Sequence, residues 1–353
     1  MLTEEARKTL EKQQYGVVGN HSAVKICGWT KNMIREQGGC YKFKFYGIAS
    51  HKCLQMTTSI SCANRCIYCW RDYKAPVSKT WKWDIDEPDF IIDGALKAQK
   101  KLLTGFGGND KANLDLWKES HHPAHVALSL TGEPITYPKF NEICNKFHER
   151  GISTFLVTNA QYPDKIKNIN IVTQLYISLD APNQIIAKDV GKPLFTDYWQ
   201  RLLDSLDEMK KKKSRTAIRM TMIKEMNMQE EYMQGYKELI NRADPDFIEI
   251  KAYMFIGASR QRLSLVNMPR HHEIVEFSEN FLKLLEGYEI SSEQKSSRVV
   301  LLSKKKYKGK TWIDFKRFFE LLKEKPANEI EAMEYSVAGK DIKEATIKET
   351  ELD

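Results

Sequence analysis

The chain has 353 residues, 42% hydrophobic and 29% charged, enough for one large α/β domain with additions or for two modest domains. No stretch approaches the ~18 uninterrupted apolar residues of a membrane span, and the first eight residues lack the apolar core of a signal peptide. A cytoplasmic setting is expected, in which seven cysteines read as ligands or thiols rather than disulfides. The net charge of +8 is uneven: residues 326–353 hold eight acidic and three basic side chains, so the body before them carries +13. Such a body suits a polyanionic partner, most simply nucleic acid, or else reflects lysine-rich solvated faces.

Residues 1–24 begin as a polar, helical segment. From Ala23 to Cys53 four glycines (28, 38, 39 and 47) break the chain into loops, and Cys27, Cys40 and Cys53 each follow the last by thirteen residues. Residues 54–60 form a strand-like run. Residues 61–73 then carry Cys62, Cys66 and Cys69 at C-x3-C-x2-C. After this loop a rhythm sets in. Residues 88–103 have the apolar spacing of a helix, and 125–130 form a short strand that runs into Thr131-Gly132-Glu133-Pro134. A helix over 140–149, a strand over 153–158 ending at Asn159, and a strand over 174–179 ending at Asp180 follow. Next come a long helix over 194–213, a strand over 217–223, a helix over 230–243, a strand over 247–252 and a closing helix over 270–286.

Six short apolar strands alternating with helices imply a parallel α/β sheet. Six rather than eight implies an open, partial (β/α)6 barrel, with its chemistry at the C-terminal ends of the strands. Strands over 288–293 and 298–303, a basic run over 304–310, a helix around 312–322 and the acidic tail complete the chain. The expected division is an N-terminal extension with an auxiliary iron–sulfur site over 1–54, a core over 55–290, and a C-terminal extension with the acidic tail over 291–353.

Three thiolates on one loop can face a single small inorganic centre. A structural zinc wants four closed ligands, for which His51 is a candidate fourth. A 4Fe–4S cube held by three thiolates instead leaves one iron open. With an aromatic residue, Tyr68, before the last cysteine, the loop resembles the signature of the radical S-adenosylmethionine (SAM) superfamily. The Gly132-Glu133-Pro134 turn one β-α unit later resembles that superfamily's second motif, with Thr131 in place of its usual first glycine. The resemblance implies a cube on Cys62, Cys66 and Cys69, with Tyr68, Gly132 and Glu133 around the bound SAM. Asn159 and Asp180 are candidates for its methionine or ribose part, while Ser178 and Arg219 read rather as polar strand-end caps.

The whole pattern is similar to the tRNA 4-demethylwyosine synthase family of the wyosine and wybutosine pathway. It combines Cys27, Cys40 and Cys53 with C-A-N-R-C-I-Y-C-W-R, S-L-T-G-E-P-I-T-Y-P and S-L-D-A-P. The resemblance is to the short archaeal form, which relies on an external electron donor of flavodoxin or ferredoxin type. It implies a second 4Fe–4S cluster on Cys27, Cys40 and Cys53, and pyruvate as co-substrate engaged by Lys42. It also implies methylguanosine beside the anticodon of phenylalanine tRNA as the target. Without the resemblance, Lys42 is one more surface lysine beside Lys44. Arg65, Arg71, Lys74, Lys79, Lys82 and the 304–310 run are candidates for tRNA phosphates. Another radical SAM enzyme with an auxiliary cluster, such as an activase or peptide modifier, and a zinc-stabilised RNA-binding protein remain alternatives.

Overall fold

A computed structural model describes residues 2–339; the acidic residues expected at 340–353 lie outside the described residues. One ten-stranded sheet organises the chain. Its strands are β1 (Gly16–Val18), β2 (Ser22–Val24), β3 (Cys53–Thr57), β4 (His125–Leu128), β5 (Ser153–Thr158), β6 (Gln174–Ser178), β7 (Arg215–Met222), β8 (Phe247–Ala252), β9 (Tyr288–Gln294) and β10 (Val299–Lys304). They lie in the order β1-β2-β3-β4-β5-β6-β7-β8-β10-β9. Strands β3 to β8 are parallel, each beside its successor in sequence. This is the expected open (β/α)6 arrangement. The β1–β2 hairpin pairs antiparallel to β3 at one edge, and β10 pairs antiparallel to β8 at the other. One sheet therefore runs past both residue 54 and residue 290. No helix among the described residues is long and apolar enough to cross a membrane.

Side chains alternate between the two faces along each strand. Leu54, Val126, Leu156, Ile177, Ile218 and Ile250 point to the outer face and pack against the helices that cover it. On the inner face, Phe155, Tyr176, Ala217 and Phe247 sit near the strand starts and pack with Tyr41, Phe45 and Tyr46. Towards the strand ends the inner face turns polar: Asn159, Ser178, Asp180, Arg219, Glu249 and Lys251. The apolar layer closes one end of the sheet, and the polar layer lines the other.

Several local expectations need correction. The polar helix expected at the start of residues 1–24 is present at Glu4–Lys12, but an unforeseen β1–β2 hairpin follows it. Strands of three residues are too short to show a period. The region expected as loops holds helices at Gly28–Ile34 and Tyr41–Tyr46, because its glycines bound these helices instead of interrupting them. The long helix foreseen over 194–213 is Tyr198–Lys210, preceded by an unforeseen helix at Gln184–Gly191 that Asn183 caps. The C-terminal helix is Phe315–Glu324, capped by Asp314. The basic run over 304–310 lies at the end of the sheet away from the polar layer. There Lys304 and Lys306 pair with Asp244 and Asp246, just before β8 begins.

Candidate active site

The loop after β3 is tied to its surroundings by its backbone. The N–H of Glu133 donates to Ser61 O at 2.8 Å, which joins the Gly132-Glu133-Pro134 turn to the start of the loop. Gly132 has φ +68°, and a Cβ there would lie 1.9 Å from Ser59 O, so only glycine admits this approach. The backbone it approaches is the chain's own, and that is where the structure places its requirement. Ile67 N donates to Val190 O at 2.9 Å, at the end of the Gln184–Gly191 helix. From the far side, Arg262 donates through Nε to Ile67 O at 2.9 Å and through Nη2 to Cys69 O. Ala258 N reaches Trp70 O at 2.9 Å beside Gly257, whose φ of +59° and close approach to Trp70 again suit glycine.

Cys62, Cys66 and Cys69 are set deep in the protein yet keep accessible surface, unlike Cys144, which is sealed in the core. Burial pushes the Cys62 thiol up to about 11, partly offset by Arg71 and by the N–H of Asn64. Cys66 is raised further by burial and by its two neighbours, Cys62 and Cys69. Two donors already face one of the sulfurs: Asn64 N and Asn159 Nδ2 lie 3.4 and 3.5 Å from Cys62 Sγ. Among the described residues no three His, Cys, Asp or Glu side chains form a group that could hold a single metal ion. Cys62, Cys66 and Cys69 line one hollow, and three thiolates suit a cube with one open iron better than a structural zinc, which takes four ligands. His51, the candidate fourth ligand, instead meets Glu119 at 3.0 Å.

Asn159, Ser178 and Asp180 converge with Cys66 and Tyr68 on one hollow. The Tyr68 hydroxyl donates to Asp180 Oδ2, and Thr221 N donates to its other oxygen at 2.7 Å. Burial raises the Asp180 carboxyl, and these donors and Arg219 draw it back. Glu133 stands apart from this group. Only 2% of it is exposed; one oxygen accepts from Asn159 N at 2.9 Å and the other has no partner among the described residues. Burial pushes its carboxyl up to about 7. It props the end of β5 from beneath.

Cys27, Cys40 and Cys53 come together from three elements. The first two immediately precede the short helices Gly28–Ile34 and Tyr41–Tyr46, and the third opens β3. Burial pushes Cys40 and Cys53 up to about 12, with Cys27 adding to both. Backbone N–H groups of Trp29 and Thr30 oppose the rise at Cys27. All three again keep accessible surface. Lys42 turns inward, its Nζ 3.9 Å from the centre of the Tyr176 ring, while Lys44 is exposed. Burial lowers the Lys42 amine, Glu249 resists, and Arg219 adds to the fall.

Two family models match the chain: the radical SAM superfamily over residues 56–234 and wyosine base formation over residues 242–304. A solved structure of TYW1 with a lysine–pyruvate adduct bound is 37% identical, with a TM-score of 0.78, and the match covers 87% of this chain and 97% of that one. The chain belongs to the TYW1 family of radical SAM proteins. The S-adenosyl-L-methionine-dependent tRNA 4-demethylwyosine synthases of Oryza sativa subsp. japonica and Mus musculus are 46% and 43% identical over 91% of this chain. The matches cover 50% and 45% of those proteins, so the chain spans about half their length.

Against this family background, three residues stand out that sequence reasoning passed over. Glu249, Lys251 and Arg262 all lie in the stretch matched by the wyosine base formation model. Glu249 is fully buried and accepts the hydroxyls of Tyr41 and Tyr46, each at 2.9 Å. The signal for two of them was present in Phe247-Ile-Glu-Ile-Lys-Ala252. Charges at alternate positions of an otherwise apolar strand share one face. Arg262 carried no such signal.

Proposed function

We propose that the chain acts as a tRNA 4-demethylwyosine synthase. With pyruvate it would convert N1-methylguanosine beside the anticodon of phenylalanine tRNA to the tricyclic base. The observation that carries this reading is Lys42: an amine turned to the interior, two residues after Cys40, in a family with a lysine–pyruvate adduct among its structures.

Cys62, Cys66 and Cys69 would hold one 4Fe–4S cube, and Cys27, Cys40 and Cys53 a second whose open iron suits chelation of pyruvate. When bound, the first cube with SAM supplies the one-electron cleavage that starts radical chemistry, with the electron from a flavodoxin- or ferredoxin-type donor. Tyr68 and Asp180 fix the loop against β6, and Asn159, Ser178 and Asp180 offer polar groups to the methionine and ribose parts of SAM. Burial and the neighbouring Arg219 favour the neutral Lys42 amine. Its attack on the ketone carbon of pyruvate, with loss of water, gives a Schiff base. Exposed Lys74, Lys79 and Lys82 would meet tRNA phosphates while the guanosine leaves its stack to enter the site. A cytoplasmic setting keeps the thiols reduced.

The test is an anaerobic incubation with SAM, reductant, pyruvate and methylguanosine-containing phenylalanine tRNA. The tRNA is then digested and its nucleosides are read by mass spectrometry. The tricyclic base is expected. If 5′-deoxyadenosine forms while the tRNA stays unchanged, the substrate assignment is wrong.

A further inference from the structure

We propose that Arg219 and Lys251 form a carboxylate clamp between the two thiol triads, which grips the acid group of the small 2-oxo acid whose carbonyl meets Lys42. The inference rests on the function proposed above and assigns the residues that orient this co-substrate.

Strand register brings the two cations together. In the parallel β7–β8 pair, Arg219 is opposite Glu249 and Thr221 is opposite Lys251. Arg219 and Lys251 are therefore diagonal neighbours on the inner face, within reach of each other's long side chains. Both keep accessible surface and line the same hollow of about 300 Å³ as Cys62, Cys66 and Cys69. Arg219 also lies within electrostatic reach of Tyr68 and Asp180 on one side, and of Tyr41 and Glu249 on the other. Lys251 feels Cys40 as well as Arg219. The pair thus stands where the surroundings of the two triads meet.

The hydrogen-bond inventory leaves this pair open. The Nε of Arg219 is buried without a hydrogen-bond partner among the described residues. The two acids near it are occupied. Both Glu249 oxygens accept tyrosine hydroxyls, and both Asp180 oxygens accept from Tyr68 and Thr221. Lys251 gives a single bond, to Ser297 O at 2.7 Å. Lys42, Arg219 and Lys251 all lie within electrostatic reach of Glu249, which is fully buried. A buried guanidinium nitrogen left without a partner is costly. The guanidinium's planar fork matches a carboxylate, and a 2-oxo acid carries that carboxylate next to the carbonyl that an amine attacks.

The test uses the chain with both clusters reconstituted, comparing wild type with Arg219→Met, Arg219→Lys and Lys251→Met. KM is measured separately for pyruvate, methyl pyruvate and SAM, and labelled pyruvate is bound at equilibrium without reductant. Loss of a hydrogen-bonded charge should raise the pyruvate KM on the order of 10- to 100-fold in Arg219→Met, with a smaller rise in Lys251→Met. SAM KM and iron content should hold, and the preference for pyruvate over its methyl ester should collapse. Arg219→Lys, which keeps the charge without the fork, should fall between and carries the inference if Arg219→Met does not accumulate. Unchanged pyruvate binding and ester preference, or a rise confined to SAM, would overturn the clamp while leaving the proposed function standing. A wild-type chain that consumes no pyruvate would remove both.

Discussion

The two cysteine triads occupy one protein interior but are assembled in opposite ways. Cys62, Cys66 and Cys69 lie on a single loop within eight residues, so chain connectivity alone keeps them near one another. Cys27, Cys40 and Cys53 are spread over 27 residues and meet only because two short helices and the first residue of β3 are packed together. The packing that gathers them is the apolar inner layer of Tyr41, Phe45, Tyr46, Tyr176 and Phe247. One triad is therefore a local device carried by the fold, and the other is a product of the fold.

The largest effect is expected at the local triad. Cys62→Ala should abolish 5′-deoxyadenosine formation and lower bound iron from about eight to about four per chain, read by iron analysis and chromatography. Cys53→Ala separates the two. Iron should fall by the same amount and the tricyclic base should vanish, yet 5′-deoxyadenosine should still form. If it too disappears, the triads are not independent centres. Lys42→Met should likewise remove the tRNA product while sparing 5′-deoxyadenosine, and Lys44→Met should leave both unchanged, because only the first side chain turns inward.

Stability should distinguish the triads more gently. Glu249→Ala strands the hydroxyls of Tyr41 and Tyr46 in the layer beneath the distributed triad. That should cost about 2–4 kcal/mol in denaturant unfolding. Acid should act through buried histidines. His125, the register partner of Cys53, is held down to about 3 by burial, and His148 to about 4. Both are neutral when folded, whereas the unfolded chain takes up their protons below about pH 6.5. The stability they contribute is intact above that pH and is lost as pH falls towards the folded values. At pH 5 each should subtract about 2 kcal/mol, seen as a lower unfolding midpoint.

Much of the core was legible because its signals are local. The alternation of short apolar strands with helices fixed six parallel strands, and Asn159, Ser178 and Asp180 at their ends do converge beside Cys66 and Tyr68. Gly132 was legible as a motif glycine, and the close approach that requires it is to Ser59. Glu133 was found by motif, although its carboxyl is tucked under β5 rather than presented to the hollow. The β1–β2 hairpin and the short helices that follow Cys27 and Cys40 escaped notice, since elements of three to seven residues show too little of their period.

By itself, then, the sequence determined the loop triad, the strand–helix order and the residues at the strand ends, each written in neighbours along the chain. The tertiary structure alone decided that Lys42 faces inward and Lys44 outward, and that Glu249 is claimed by two tyrosines. It also decided that Arg219 Nε is buried without a hydrogen-bond partner among the described residues, and that Arg262 grips the carbonyls of Ile67 and Cys69. The physical reason is separation. Tyr41 meets Glu249 across 208 residues and Arg262 meets Cys69 across 193, and contacts so distant follow from how the layers pack, which no local pattern records.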